Sequence, residues 1–177
     1  MKHRTHNPLS QKGSMMIEAL VAILIFSMGI LAMMGLQAAS VKLSGDAKFR
    51  SDASLLANEL IGQMWGSDRS SAPQLVTNFK CTGTNSLCST GQTPALVTNW
   101  LTNVTAALPG VAATPPIVSV VSQPATTSGS ISNLVTVKIF WKAPNDPAAS
   151  NTTLCGVPVP TGNTNYAHCF IAMAQII

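Results

Sequence analysis

From Met15 to Leu36 every position is apolar or glycine except Glu18 and Ser27, and no charge occurs between Ala19 and Val41. A helix of about 20 such residues is long enough to cross the hydrocarbon core of a bilayer. The helical pattern continues beyond it. Phe49, Ala53, Leu56, Leu60 and Met64 recur at spacings of 4, 3, 4 and 4, which puts them on one face. No proline falls between Ser10 and Ala72, so one helix from about Met15 to Trp65 is predicted, about 75 Å long at ~1.5 Å per residue. Asp46 and Arg50, four apart, are spaced to pair on its solvated side. Gly29, Gly35, Gly45 and Gly62 each weaken the helix by ~1 kcal/mol relative to alanine, and mark either bends or points where helices pack closely.

The pattern changes near Ser67. "GSDRSSAP" is rich in turn formers and reads as a link, and Val76 to Gln92 reads as a polar loop. In Pro94 to Leu108, Val97, Leu101, Val104 and Leu108 stand at helical spacing, and the segment stops at the breaker pair Pro109-Gly110. Two β-branched, alternating stretches follow, Ile117 to Ser122 and Leu134 to Lys142. In the second, Val135, Val137, Ile139 and Trp141 face one way, and Thr136, Lys138, Phe140 and Lys142 the other. The closing run "CFIAMAQII" reads as a third, buried strand. An antiparallel sheet packed on the long helix gives an α+β fold.

Charge separates the ends of the apolar run. Residues 1–13 carry Lys2, Arg4 and Lys12 and no acid, so the positive-inside rule places that end in the cytoplasm and the head on the far side. Without this leader the basic residues number 10 − 3 = 7 against 6 acidic, a net charge of +1. The isoelectric point of about 9.1 is therefore largely a leader effect. The remaining basic residues are scattered singly, with none of the clustering a nucleic-acid surface requires. A cleaved secretory signal fits poorly, because the run exceeds the ~7–15-residue core of such signals and the best small-residue site places the bulky Leu36 badly. A plain single-span anchor fits better, but it leaves Glu18 unexplained, since a carboxylate at a spanning helix's centre costs up to ~2.5–3.5 kcal/mol. Glu18 lies three residues inside the run, where the cost is smaller.

All four cysteines, Cys81, Cys88, Cys155 and Cys169, fall in the exported head. Three pairings are possible. The local one, Cys81 with Cys88 and Cys155 with Cys169, is favoured because both loops are short, and each such loop contributes about 2.5–3 kcal/mol by the chain-entropy model. No CxxC occurs, and His168 is the sole histidine outside the leader, so no metal site and no cofactor is expected. There is no GxxxxGK[ST], GxGxxG, HExxH or GxSxG. No enzymatic activity is expected, and His168, beside Cys169, reads as a structural residue.

The segment Lys12-Gly13-Ser14-Met15-Met16-Ile17-Glu18-Ala19-Leu20-Val21-Ala22 resembles the class III leader of type IV pilins and pseudopilins, which has a basic leader, Gly before the cut, and Glu at the fifth mature position. The resemblance implies cleavage after Gly13 by prepilin peptidase, N-methylation of Ser14, and an assembly role for Glu18 facing a terminal ammonium. Phe is the common first mature residue in that family; Ser14 departs from it. The stretch "GLQAASVKLSGDAKFRSDASLLANELIGQMW" is similar to PilV-type minor pilins, as is the segment from Trp100 to Gly110. Residues 112–132 and 143–165 fall outside the likeness.

The resemblance implies a type IV pilin-like fold with four parts: a cleaved leader over 1–13, a transmembrane or filament-core half-helix over 14–41, an amphipathic half over 42–66, and a globular head over 67–177. It further implies a minor pilus subunit, held first in the inner membrane with a periplasmic head and later in the pilus at the cell surface. Its partners would be other minor and major pilins, prepilin peptidase, the inner-membrane assembly platform and membrane lipid. A minor pseudopilin of type II secretion shares the leader and helix. A single-span periplasmic enzyme or binding module would keep an uncleaved leader.

Overall fold

The apolar run folds as one continuous helix, α1 (Ser14–Gly66), in the computed structural model of the chain. The structure describes residues 14–67, 72–83, 86–89, 91, 93–123, 132–144, 146–147, 153–158 and 167–177. The leader, with Gly13, and residues 68–71 of the link lie outside them. The remaining elements are α2 (Ala72–Phe79), α3 (Ala95–Ala107), a 3-10 turn (Val111–Ala113), β1 (Ile117–Gln123), β2 (Ser132–Trp141), β3 (Thr153–Leu154), β4 (Val157–Pro158) and β5 (His168–Ile176).

Two units divide the chain, residues 1–45 and residues 46–177. The described part of the first is helix alone. It runs unbroken through Gly29 and Gly35, and its side chains are exposed from Met15 to Ser44.

The second unit is built on a three-stranded antiparallel sheet in the order β1-β2-β5. Ile117 pairs with Lys138 and Gln123 with Ser132 across β1 and β2. Asn133 pairs with Ile176 and Trp141 with His168 across β2 and β5. The central strand shows why alternation matters: Val135, Val137, Ile139 and Trp141 are all buried on one face, the face a period of two dictates. Against that face lie Ala53, Ala57, Leu60 and Met64 from α1, Leu75 and Phe79 from α2, and Val97, Trp100 and Val104 from α3, in one apolar core. A long apolar helix and a small antiparallel sheet thus coexist in one chain, in an α+β arrangement.

The opposite face of the sheet has its own small core. Ile117 and Phe140 are buried there beneath Leu87, Leu154, Val157 and the Cys155 and Cys169 side chains. The β3–β4 hairpin supplies the cover, and the Lys138 ammonium donates to the Cys155 carbonyl at 2.9 Å. Cys155 at φ 49° and Gly156 at φ 69° make its turn, a left-handed conformation that glycine adopts without penalty.

Both disulfides form locally, Cys81–Cys88 across 7 residues and Cys155–Cys169 across 14. The first closes a loop over the outer edge of β1: the Cys81 N–H donates to Val118 O at 3.1 Å, and the Cys88 N–H to Pro116 O at 2.9 Å. An otherwise open strand edge is thereby covered.

Three expectations need correction. The polar loop expected from Val76 begins as helix: α2 turns Leu75 and Phe79, four apart, into the core. The final strand is an edge strand buried on one side only. Ile171 and Met173 are 38% and 69% exposed, while Phe170, Ala172 and Ala174 pack inward. Its unbroken apolar run hides this, because a run without alternation does not say how many faces are covered. Lastly, Asp46 makes no ion pair with Arg50 among the described residues; its carboxylate lies beside Asp146 and His168.

Candidate functional site

The first candidate is the start of α1. Ser14 is the helix's first residue, so the first-turn N–H groups, which have no partner within a helix, follow directly from the position expected to become the mature terminus. Glu18 comes one turn later on the same helix and is exposed. Gly13, the expected cleavage position, lies outside the described residues.

From Met15 onward this segment exposes a dense apolar surface. Met15, Met16, Ile17, Leu20, Ile23 and Phe26 are all more than 60% exposed, and Leu36 is 73% exposed. Soluble monomers do not present apolar area on this scale, which marks a surface meant for lipid or for other proteins. By length and composition α1 is able to cross a membrane.

The two polar residues of the run behave differently. The Ser27 hydroxyl donates to the Leu24 carbonyl at 2.8 Å on its own helix, so it enters an apolar medium with its hydrogen bond already made. Glu18 has no hydrogen-bond or ion-pair partner among the described residues. A backbone carbonyl cannot serve an ionised carboxylate, which only accepts hydrogen bonds. Its partner in an apolar surround has to be a donor brought from elsewhere.

The second candidate is in the head. Asp146 is buried in the turn after β2, where its Oδ2 accepts from the Ala143 N–H at 3.0 Å. The same oxygen lies 3.0 Å from His168 Nε2, and the His168 ring stacks on Trp141 with centroids 5.6 Å apart. His168 is therefore tied into the fold by two contacts. Its neighbour Cys169 is bonded to Cys155, so no thiolate stands next to the imidazole. The Asp46 carboxylate completes this cluster. The spacing of the residues gives no hint of it, because Asp46 and Asp146 stand 100 positions apart in the sequence.

No family model, curated protein or solved structure matches the chain.

Proposed function

We propose that the chain is a minor pilin of a type IV pilus, of the PilV type, acting in assembly by helix packing. The observation that carries the reading is Glu18: one carboxylate without a described partner, at the fifth position after Gly13, in an exposed apolar helix otherwise free of charge from Ala19 to Val41. The disulfide-bonded α+β head that follows the helix is the kind of exported domain such a subunit carries.

On this reading prepilin peptidase cuts after Gly13 on the cytoplasmic side and leaves Ser14 with a free, then methylated, ammonium. In the membrane that ammonium stays near the interface and Glu18 sits close to it. When the subunit leaves lipid for the filament, its apolar side chains exchange lipid contacts for contacts with neighbouring helices. Glu18 then accepts from a terminal ammonium of an adjacent subunit. A charge buried alone is far costlier than a charge that is paired and hydrogen-bonded, so the pairing selects one axial register over those that leave both groups unmatched. The work of extraction comes from the assembly platform and a cytoplasmic ATPase, in keeping with the absence of a nucleotide-binding motif in this sequence.

The test is Glu18→Ala expressed at native level. The expected outcome is an unchanged amount in the membrane fraction with its disulfides intact, and a loss of at least about tenfold from sheared pilus fractions. Unchanged incorporation would refute the register role. Loss of substrate export with surface pili retained, in a deletion strain, would instead assign the chain to type II secretion.

A further inference from the structure

The Asp46, Asp146 and His168 side chains come from three separate elements: α1, the turn after β2, and the first position of β5. Their ligand atoms all lie within 4.8 Å of one another. This is a mixed donor set, one imidazole nitrogen and two carboxylates, and two of its three members are held in place. Asp146, with its side chain only 2% exposed, is fixed by the Ala143 N–H, and its own N–H donates back to the Ala143 carbonyl at 3.1 Å. His168 is fixed by its contact with Asp146 and by the Trp141 ring stacked on it at an interplanar angle of 20°. Sites on helices and strands hold ligand geometry better than sites on loops; Asp46 is on α1 and His168 on β5, and Asp146 is pinned in its turn by the Ala143 backbone.

We propose that these three side chains form a divalent transition-metal site of the Zn2+ class, with water as the remaining ligand. The site lies wholly within the second unit, residues 46–177, so the proposal does not depend on the assembly reading.

The chemistry favours this class. Two carboxylates held this close repel each other, and a divalent cation between them removes the repulsion while also engaging the imidazole. An imidazole donor suits Zn2+ and its neighbours, whereas Ca2+ and Mg2+ favour shells made wholly of oxygen. The geometry is nearly in place. Two ligands on one tetrahedral Zn2+, each ~2.0–2.2 Å from the metal, stand roughly 3.4 Å apart. The His168–Asp146 separation of 3.0 Å is close to that, and from the 4.8 Å outer limit of the trio a closure of at most about 1.4 Å is required. Asp46 is half-buried and, unlike Asp146 and His168, is not fixed by the contacts above, so it is the side chain that can move to make it. His168, 38% exposed, gives the ion a route in from solvent.

Bound there, the ion would tie α1 at Asp46 to the turn after β2 and to the start of β5, three segments distant in sequence. Its consequence is structural: the head becomes more resistant to unfolding when metal is present.

The experiment uses the oxidised full chain in detergent, carrying His3→Ala and His6→Ala so that no leader imidazole binds metal. Calorimetric titration with ZnCl2 is expected to give one ion per chain at micromolar affinity or tighter, with a higher melting temperature that EDTA reverses. CaCl2 and MgCl2 are expected to leave the melting temperature unchanged. Asp46→Asn and His168→Gln should each weaken Zn2+ binding at least tenfold while near-ultraviolet circular dichroism shows a folded head. Visible absorption after Co2+ addition needs no ligand variant: a tetrahedral spectrum without a thiolate charge-transfer band is expected. No saturable binding, a Co2+ spectrum with thiolate character, or Zn2+ affinity unchanged in both variants would overturn the proposal.

Discussion

Trp100 locks α3 onto α1 within the head, and its replacement tests that packing directly. The indole is 1% exposed, and its Nε1–H donates to the Leu56 carbonyl at 2.7 Å, across 44 positions of sequence. Leu56 lies inside α1, where its carbonyl also accepts the ordinary i+4 helix bond, so removing the indole N–H does not orphan an acceptor. Trp100→Phe therefore loses one net hydrogen bond, about 1 kcal/mol, and leaves a small void where the second ring was, about 1 kcal/mol more. A total near 2 kcal/mol is expected, and Trp100→Ala should reach the ~3–5 kcal/mol typical of deleting a buried aromatic. Urea unfolding of the full chain in detergent, followed by far-ultraviolet circular dichroism with disulfides intact, measures both. A loss below about 0.5 kcal/mol for Trp100→Phe would contradict the docking of α3 on α1 through this bond.

The remaining expectations concern the covalent and backbone constraints of the head. Replacing Cys155 and Cys169 together with Ala should cost about 3 kcal/mol by loop entropy over 14 residues. The Cys81–Cys88 pair, over 7 residues, should cost about 2.5 kcal/mol from entropy and more from packing, because both cysteines are buried in the main core. Losses under 1 kcal/mol in the same denaturation assay would contradict both. Gly110→Ala should cost about 1–3 kcal/mol. Gly110 holds φ at 81°, and a Cβ there would meet the Lys142 backbone nitrogen at 3.3 Å, beside the Lys142 N–H bond to Pro109 O. A neutral Gly110→Ala in thermal unfolding would refute that close approach.

Long, one-directional patterns were legible in the sequence. The α1 stripe through Ala53, Leu60 and Met64 and the β2 alternation through Val135, Val137 and Ile139 each repeat one period over several residues, and packing has only to accept them. Shorter signals were lost. The eight residues of α2 hold Pro73, Thr77 and Asn78, all weak helix formers, and among its described side chains Leu75 and Phe79 are the buried ones, with Val76 partly buried against the core. Strands β3 and β4 have two residues each, too few for any period to show. Trp100 stands one place from the spacing that picks out Leu101, yet it is the indole that fills the core and Leu101 that lies half-buried beside it. The Asp46, Asp146 and His168 cluster is created by tertiary contact between distant segments, so no local motif announces it. Glu18 is the opposite case. Its chemistry depends on its immediate neighbours in the chain, so the order of residues is enough to reveal a lone charge in an apolar run.

The central claim is that Glu18 serves a terminal ammonium created by cleavage after Gly13. The measurement that tests it most directly is the intact amino-terminal mass of the protein from wild-type membranes and from cells lacking prepilin peptidase. The account predicts a wild-type terminus at Ser14, carrying one methyl group, and the full leader from Met1 in the mutant. A terminus at Met1 in both strains would contradict it, because no ammonium would then stand four residues from Glu18.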